Sequence, residues 1–228
     1  MAIIDVIIPA YNEQNAISLV VNEIPKDLVR HIIVCNNNSK DKTAEMAKAA
    51  GAIVLDESRA GYGYACLKGM SFIASLGQKP DIVVFLDGDH SDYPGQMKDL
   101  IQPILDGRAE LVIGSRDLGN RESGSMTFPQ VFGNWLATRL IQWIYHYHFT
   151  DLGPFRAITY PSLIKINMED KTFGWTVEMQ VKAAKLKIIS TEIPVNYRRR
   201  IGVSKVSGTI KGTILAGYKI IWTILKLI

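Results

Sequence analysis

Residues 81–89 read Asp-Ile-Val-Val-Phe-Leu-Asp-Gly-Asp: five apolar side chains in a row, closed by two carboxylates one residue apart. An unbroken apolar run of this length predicts a strand covered on both faces, as in parallel sheets. The carboxylates at its tip, Asp87 and Asp89, would repel one another unless a cation or hydrogen bonds compensate. Outward from this segment, residues 3–8, 31–35, 52–55 and 111–114 are similar short runs rich in Ile and Val, each bounded by turn residues. Between them, 13–24, 41–50, 62–76 and 95–105 read as helices, with Ser39 or Asp41 as N-cap of the second and Gly51 as its stop. Strands separated by single helices predict an α/β fold, a Rossmann-like, mostly parallel central sheet with helices on both faces.

Ligands of such a sheet bind beyond the carboxyl ends of its strands. There the sequence sets Pro9-Ala10-Tyr11-Asn12-Glu13 after the first strand, Asn36-Asn37-Asn38-Ser39-Lys40-Asp41 after the second, Asp87-Gly88-Asp89-His90 after the fourth and Gly114-Ser115-Arg116-Asp117 after the fifth. Polar groups at successive strand ends converge on one rim. Oxygen ligands such as Asp87 and Asp89 suit Mg²⁺ or Mn²⁺, whose shell is ordinarily completed by substrate phosphates. Gly88 allows a tight turn and leaves room for a diphosphate.

Beyond Gly114 the rhythm changes. Residues 115–127 are polar, 128–149 form an aromatic-rich helical segment with Trp135, Trp143, Tyr145 and Tyr147, and a helix near 172–187 precedes an extended run over 188–195. His146 and His148, two apart on that helical segment, would face different ways and make a poor metal pair. The aromatic residues serve either core packing or an interfacial belt. The 228-residue chain carries a net charge of +4, but 182–228 sums to +9 and 1–181 to −5. A basic tail suits an acidic partner. Residues 209–228 are apolar with Lys211, Lys219 and Lys226 on one helical face, an amphipathic appendage rather than a spanning helix. The two cysteines, Cys35 and Cys66, read as reduced thiols, and residues 1–8, without a basic flank and with Asp5 inside the apolar run, do not read as a secretory signal.

In order and spacing, the segments Pro9–Glu13, 32–43, Arg59-Ala60-Gly61-Tyr62-Gly63, Asp87-Gly88-Asp89 and Gly114-Ser115-Arg116 resemble the GT-A glycosyltransferases of family 2, and more closely the dolichol-phosphate (polyprenyl-phosphate) mannosyltransferase-like branch. Asp151-Leu152-Gly153-Pro154-Phe155-Arg156, Gly174-Trp175-Thr176-Val177-Glu178 and Arg199-Arg200-Ile201-Gly202-Val203-Ser204-Lys205 extend the likeness over roughly residues 3–206. It implies a GT-A domain over 1–206 with a C-terminal helix over 207–228, and an inverting, metal-dependent transfer of a sugar from a nucleotide diphosphate. The acceptor would be a polyprenyl phosphate or other lipid at the cytoplasmic membrane face, with the enzyme peripheral on an anionic surface. Pro9, Tyr11 and Glu13 would border base and ribose, Asp87 the sugar–diphosphate and the metal, Asp89 the metal, and Arg116 phosphate; Gly61 and Gly63 would let the next helix approach the nucleotide. The chain departs from the branch at Asn36 and Asn37, where two acids are usual, at Ser91, where a Gln ligand can stand, and at Gln130, near an expected arginine.

A hydroxyl acceptor needs a general base, whereas a phosphate monoester is already dianionic at neutral pH and needs cations. Asp151 and Glu178 are the acids available as base or acceptor-orienting group; the alternative for each is a helix cap or an ion pair with Arg156 or the 198–200 cluster. Arg199 and Lys205 are expected to contact phosphate, since guanidinium forks suit phosphate oxygens. A soluble hydroxyl acceptor, or a non-catalytic nucleotide- or membrane-binding module, are the alternative functions. A sugar nucleotidyltransferase would carry a basic glycine-rich loop after the first strand, which this chain lacks, and no motif supports nucleic-acid binding.

Overall fold

The computed structural model describes residues 2–202 and 210–228, the side chains of 210–214 and 216 excepted. Seven strands, β1 (Ile4–Ala10), β2 (His31–Asn36), β3 (Ile53–Asp56), β4 (Ile82–Phe85), β5 (Leu111–Ser115), β6 (Arg156–Thr159) and β7 (Ser190–Pro194), form one sheet in the order β3-β2-β1-β4-β6-β5-β7. β1, β2, β3 and β4 pair in parallel and so do β5 and β7, whereas β6 runs antiparallel to both β4 and β5. The helices are α1 (Ile17–Glu23), α2 (Thr43–Ala49), α3 (Tyr62–Ser75), α4 (Met97–Leu105), α5 (Phe128–Tyr145), α6 (Tyr160–Ile166), α7 (Trp175–Lys185) and α8 (Ile210–Lys226).

Alternate strand residues feed two cores. Ile7, Ile33, Val83, Phe85, Ile113 and Ile158 point to the layer that also holds Ala65 of α3, Ile141 of α5, Trp175 of α7 and Ile224 of α8. Val6, Ile8, Val34, Val84 and Val112 point to the layer with Val20 of α1, Ala47 of α2 and Leu100 of α4. Both faces of the central strands are thereby dry, which is why the sequence shows apolar runs without alternation. Asp5, the one acid inside β1, is buried against Arg30, whose Nε and Nη2 lie 3.0 and 2.5 Å from its carboxylate.

Residues 156–166, given no element by the sequence pattern, form β6 and α6. A four-residue strand that begins with arginine, Arg156-Ala157-Ile158-Thr159, carries no apolar run long enough to signal itself. Arg156 is nonetheless fully buried, because its guanidinium donates to the carbonyls of Leu152, Gly153 and Thr176. Helix α1 begins at Ile17 rather than 13, since the Ala16 and Ile17 N–H groups fold back onto the Glu13 carbonyl. The N-cap position of α2 is Lys42; the Asp41 carboxylate accepts from the Thr43 N–H just inside it, and the Ser39 hydroxyl accepts from Asn12 instead. Helix α5 stops at Tyr145 with His146 in the left-handed conformation (φ 53°), so His146 and His148 lie beyond the helix. Helix α8 packs on α5 and α7: the Tyr145 hydroxyl donates to the Ile224 carbonyl, and Lys219 pairs with Asp170 at 2.8 Å. Among the described residues no helix is long and apolar enough to cross a membrane.

Candidate active site

The loops after β1 and β2 are sewn to each other. The N–H groups of Asn12, Glu13 and Gln14 donate to Ser39, Thr43 and Asp41, and the Lys40 and Lys42 N–H groups return bonds to the Asn12 and Gln14 side chains. Asn12 reaches this arrangement in the left-handed region (φ 54°), where asparagine is tolerated. Asn37 is spent on the next loop: its amide nitrogen donates to the Glu57 and Arg59 carbonyls and its oxygen accepts from the Gly61 N–H. Asn36 donates to Asp56, and its buried oxygen has no partner. Glu57 holds Arg59 through a forked pair, and the adjacent guanidinium brings its carboxyl down to about 2.

At the end of β4 three acids meet. Asp89 and Asp92 are buried, and Asp87 opens on the cleft with Tyr62 donating to it at 3.0 Å. Asp89 Oδ1 accepts from both the N–H and the hydroxyl of Ser91. Asp92 Oδ2 accepts from the Asp87 N–H at 3.3 Å, while its Oδ1 is buried without a partner. Burial, and then the charge of Asp89, push the Asp87 carboxyl up to about 6; burial, then Asp87 and Asp89, push Asp92 well above the usual range. An all-oxygen cluster with an orphaned carboxylate oxygen and raised acids is short of positive charge, and fits a hard divalent cation. A cation held by Asp87 and Asp89 would take one or two ligands from the chain and the rest of its shell from substrate phosphates; among the described residues no group of three or more His, Cys, Asp or Glu is placed to hold a metal ion by itself.

Two cationic elements face this cluster. Arg116, at the end of β5, donates from N, Nε and Nη2 to Asp151 at 2.8, 2.7 and 2.7 Å and lies 5.0 Å over the Tyr197 ring. Burial alone would raise Asp151, yet the Arg116 charge and hydrogen bonds hold its carboxyl below the ordinary range. The segment 197–201 forms the other. Arg198 braces the acid loop by donating to the His90 and Asp92 carbonyls and to Glu23, and Arg200 sits 2.9 Å from Asp89 Oδ2. Arg199 points the opposite way, onto the Ser123 carbonyl, with its N–H on Glu122.

A cleft of about 710 Å³ runs through this rim. Pro9, Tyr11, Glu13, Asn37, Gly61, Asp87, Asp89 and Arg116 line it, joined by Tyr62, Tyr197 and Arg200, and it continues along Gln130 and Asn134 of α5, Thr176 of α7 and Ile220 of α8. Of the other expected site residues, Asn36, Gly63, Asp151, Glu178 and Arg199 do not line it, and Lys205 lies outside the described residues. Glu178 is buried behind it, accepting from the Glu169 and Asp170 N–H groups and paired with Lys182 at 2.7 Å. The ion-pair partners are thus Arg116 for Asp151 and Lys182 for Glu178, not Arg156 or the 198–200 cluster. What lies against Gly61 and Gly63 is protein: a Cβ there would stand 2.2 Å from the Lys171 carbonyl oxygen and 2.0 Å from that of Asp170.

Sequence reading missed Tyr62, Asp92 and Arg200. Only Arg200 left a signal: in an extended segment side chains alternate, so 198 and 200 share a side and 199 takes the other.

A polar rim with acids after β4, on a mixed sheet with one antiparallel strand, is the architecture of the GT-A glycosyltransferases. The chain belongs to glycosyl transferase family 2, whose profile matches residues 5–168. An uncharacterised glycosyltransferase of Mycobacterium tuberculosis is 31% identical over 216 residues, covering 93% of this chain and 94% of that one. A UDP-N-acetylglucosamine–dolichyl-phosphate N-acetylglucosaminyltransferase of Methanococcus voltae is 27% identical, covering 99% and 96%. Among solved structures, the glucosyl-3-phosphoglycerate synthase of M. tuberculosis, crystallised with Mn²⁺, uridine diphosphate and glucosyl-3-phosphoglycerate, superposes with a TM-score of 0.76 at 21% identity, covering 99% of this chain and 80% of that one.

Proposed function

We propose that this glycosyltransferase moves a sugar, with inversion, from a nucleoside-diphosphate donor to a polyprenyl phosphate at a membrane surface, using Mg²⁺ or Mn²⁺ held by Asp87 and Asp89. The observation that carries the reading is the acid cluster opening on the same cleft as Arg116 and Arg200. The cation would act as a Lewis acid toward the diphosphate leaving group. Arg116, aimed by Asp151, and Arg200 offer forked donors to phosphate oxygens. Tyr11 and Glu13, which line the same cleft, would border base and ribose. A phosphate acceptor is dianionic at neutral pH, so the reading asks no base of Asp151 or Glu178, and both serve as positioning residues.

The lipid acceptor rests on the relative that uses dolichyl phosphate and on exposed aromatic rings beside the cleft. Phe128, Phe132 and Trp135 of α5 follow one another at ring distances of 6.4 and 5.8 Å, and Tyr218 stacks on Trp222 of α8 at 6.5 Å. Phe128 is 81% exposed and Tyr218 66%. Rings of this kind on neighbouring helices suit the headgroup level of a bilayer, on the cytoplasmic face where nucleotide sugars are supplied. A soluble phosphate-bearing acceptor is the second reading, favoured by the ligand of the structural neighbour. Melting temperature measured against a panel of nucleotide sugars with Mn²⁺ or Mg²⁺ tests the donor. Turnover with polyprenyl phosphate against small phosphate esters separates the acceptors. No metal-dependent stabilisation by any donor overturns the proposal.

A further inference from the structure

Both oxygens of Asp89 are engaged. Oδ1 takes the Ser91 N–H at 2.9 Å and the Ser91 hydroxyl at 2.5 Å, and Oδ2 takes Arg200 Nη1 at 2.9 Å. Asp89 is buried, so this contact is strong. Arg200 therefore puts its positive charge where a cation bound by Oδ2 would come to rest, and two cations on one carboxylate oxygen repel. The backbone beside it is fixed, because the Ile201 N–H donates to the Asp89 carbonyl at 2.9 Å. The guanidinium can leave by rotating its own side chain, without moving the segment. It leaves into the cleft that it already lines and into which Arg116 also faces.

We propose that Arg200 is a resident counter-cation of the acid cluster which exchanges partners: it holds Asp89 until a cation arrives with a nucleoside diphosphate, then turns from the carboxylate to the diphosphate. This rests on the nucleotide-sugar reading above. A metal ion alone that took up Asp87 and Asp89, the cleft carboxylates acting on Arg200, would evict the guanidinium without bringing a replacement anion for it. A metal ion accompanied by a diphosphate supplies that anion. Arg200 thereby makes metal and nucleotide bind cooperatively, and keeps the site from loading a cation without donor. Ser91, whose N–H and hydroxyl both donate to Asp89 Oδ1, leaves Oδ2 to this exchange.

The test is Mn²⁺ binding to the full chain, read from the electron paramagnetic resonance of free Mn²⁺, with and without UDP or GDP, for the wild type, Arg200→Gln and Arg200→Lys. Arg108→Gln, which removes an exposed arginine paired with Asp106, controls for net charge. Wild type should bind Mn²⁺ weakly alone and at least about tenfold more tightly with the nucleotide. Arg200→Gln should bind Mn²⁺ alone about tenfold more tightly, as loss of a charge-assisted bond to Asp89 implies, and gain little from nucleotide. Arg200→Lys should bind Mn²⁺ alone as the wild type does and lose nucleotide affinity, because the fork is gone. Unchanged or weaker Mn²⁺ binding by Arg200→Gln, or undiminished coupling to nucleotide, overturns the exchange while leaving the nucleotide-sugar reading in place. A wild type that binds neither Mn²⁺ nor nucleotide overturns both.

Discussion

Replacing Asp151 with Asn separates two roles that the sequence leaves open. Asp151 is fully buried and takes three hydrogen bonds from Arg116, whose side chain is 11% exposed. Removing one partner of a buried ion pair costs about 3–5 kcal/mol, because the other charge is stranded. Asparagine keeps an acceptor for one of the three donors, which places the loss near about 3 kcal/mol. Against a total stability of about 5–15 kcal/mol this is large. With a urea slope of about 2–3 kcal/mol/M for a chain of this size, the unfolding midpoint should fall by roughly 1 M. Nucleotide affinity should fall with it, since Arg116 loses its aim. The pH dependence follows the same pair. The folded pKa of Asp151 lies below its ordinary 3.8, so its contribution is complete above about pH 4 and is lost as pH falls through the folded value; the variant should lack that acid-side loss. A general base behaves otherwise: its removal lowers kcat by about 10²–10⁴-fold and leaves stability alone. An Asp151→Asn enzyme that melts in urea with the wild type and binds nucleotide normally, yet has lost kcat, would refute the positioning role.

Other consequences can be checked with the same variants panel. Asp89→Asn should abolish the Mn²⁺-dependent rise in melting temperature with nucleotide and lower kcat by about 10²–10³-fold. Glu178→Gln breaks the pair with Lys182 and weakens the clasp on the 169 and 170 N–H groups; stability should drop by about 1–3 kcal/mol, while kcat at saturating donor stays within a few-fold. Gly63→Ala sets a methyl 2.0 Å from the Asp170 carbonyl oxygen, backbone that cannot rotate away, and should cost at least about 2 kcal/mol and weaken donor binding. Phe132→Ser with Trp135→Ser should leave turnover of a water-soluble short-chain acceptor unchanged and reduce flotation with anionic vesicles several-fold.

Strands were legible where both faces are dry. For β1, β2, β4 and β5 the apolar runs end within two residues of the observed limits, because burial on two sides keeps nearly every interior position apolar, the exception being Asp5 of β1, which Arg30 pairs. β6 fails the same test for a physical reason. Its buried arginine is satisfied by three backbone carbonyls that a loop and α7 deliver, and a sequence shows only the charge, not the carbonyls. The antiparallel crossing between β4 and β5 was hidden with it.

For the site, proximity to a strand end was readable and direction was not. Residues 198–200 are three arginines of one chemistry. Which of them reaches the cleft is set by the Arg198 N–H binding the Ser91 carbonyl and the Ile201 N–H binding that of Asp89, contacts between segments about a hundred residues apart. That pairing turns 198 and 200 toward the acid loop and 199 toward 122–123. Asp92 follows the same logic, since only the turn at His90, in the left-handed region at φ 66°, folds it back under the Asp87 N–H. The glycines show the converse. Gly61 and Gly63 stand beside a candidate nucleotide cleft, yet the space they leave is filled by the carbonyls of residues 170–171. That loop is clasped by Glu178, and Asp170 within it ties to Lys219 of α8. A residue behind the cleft and a helix at the end of the chain therefore both bear on the Gly61 backbone that lines the donor side, so the C-terminal helix belongs to the site's architecture whatever surface it meets.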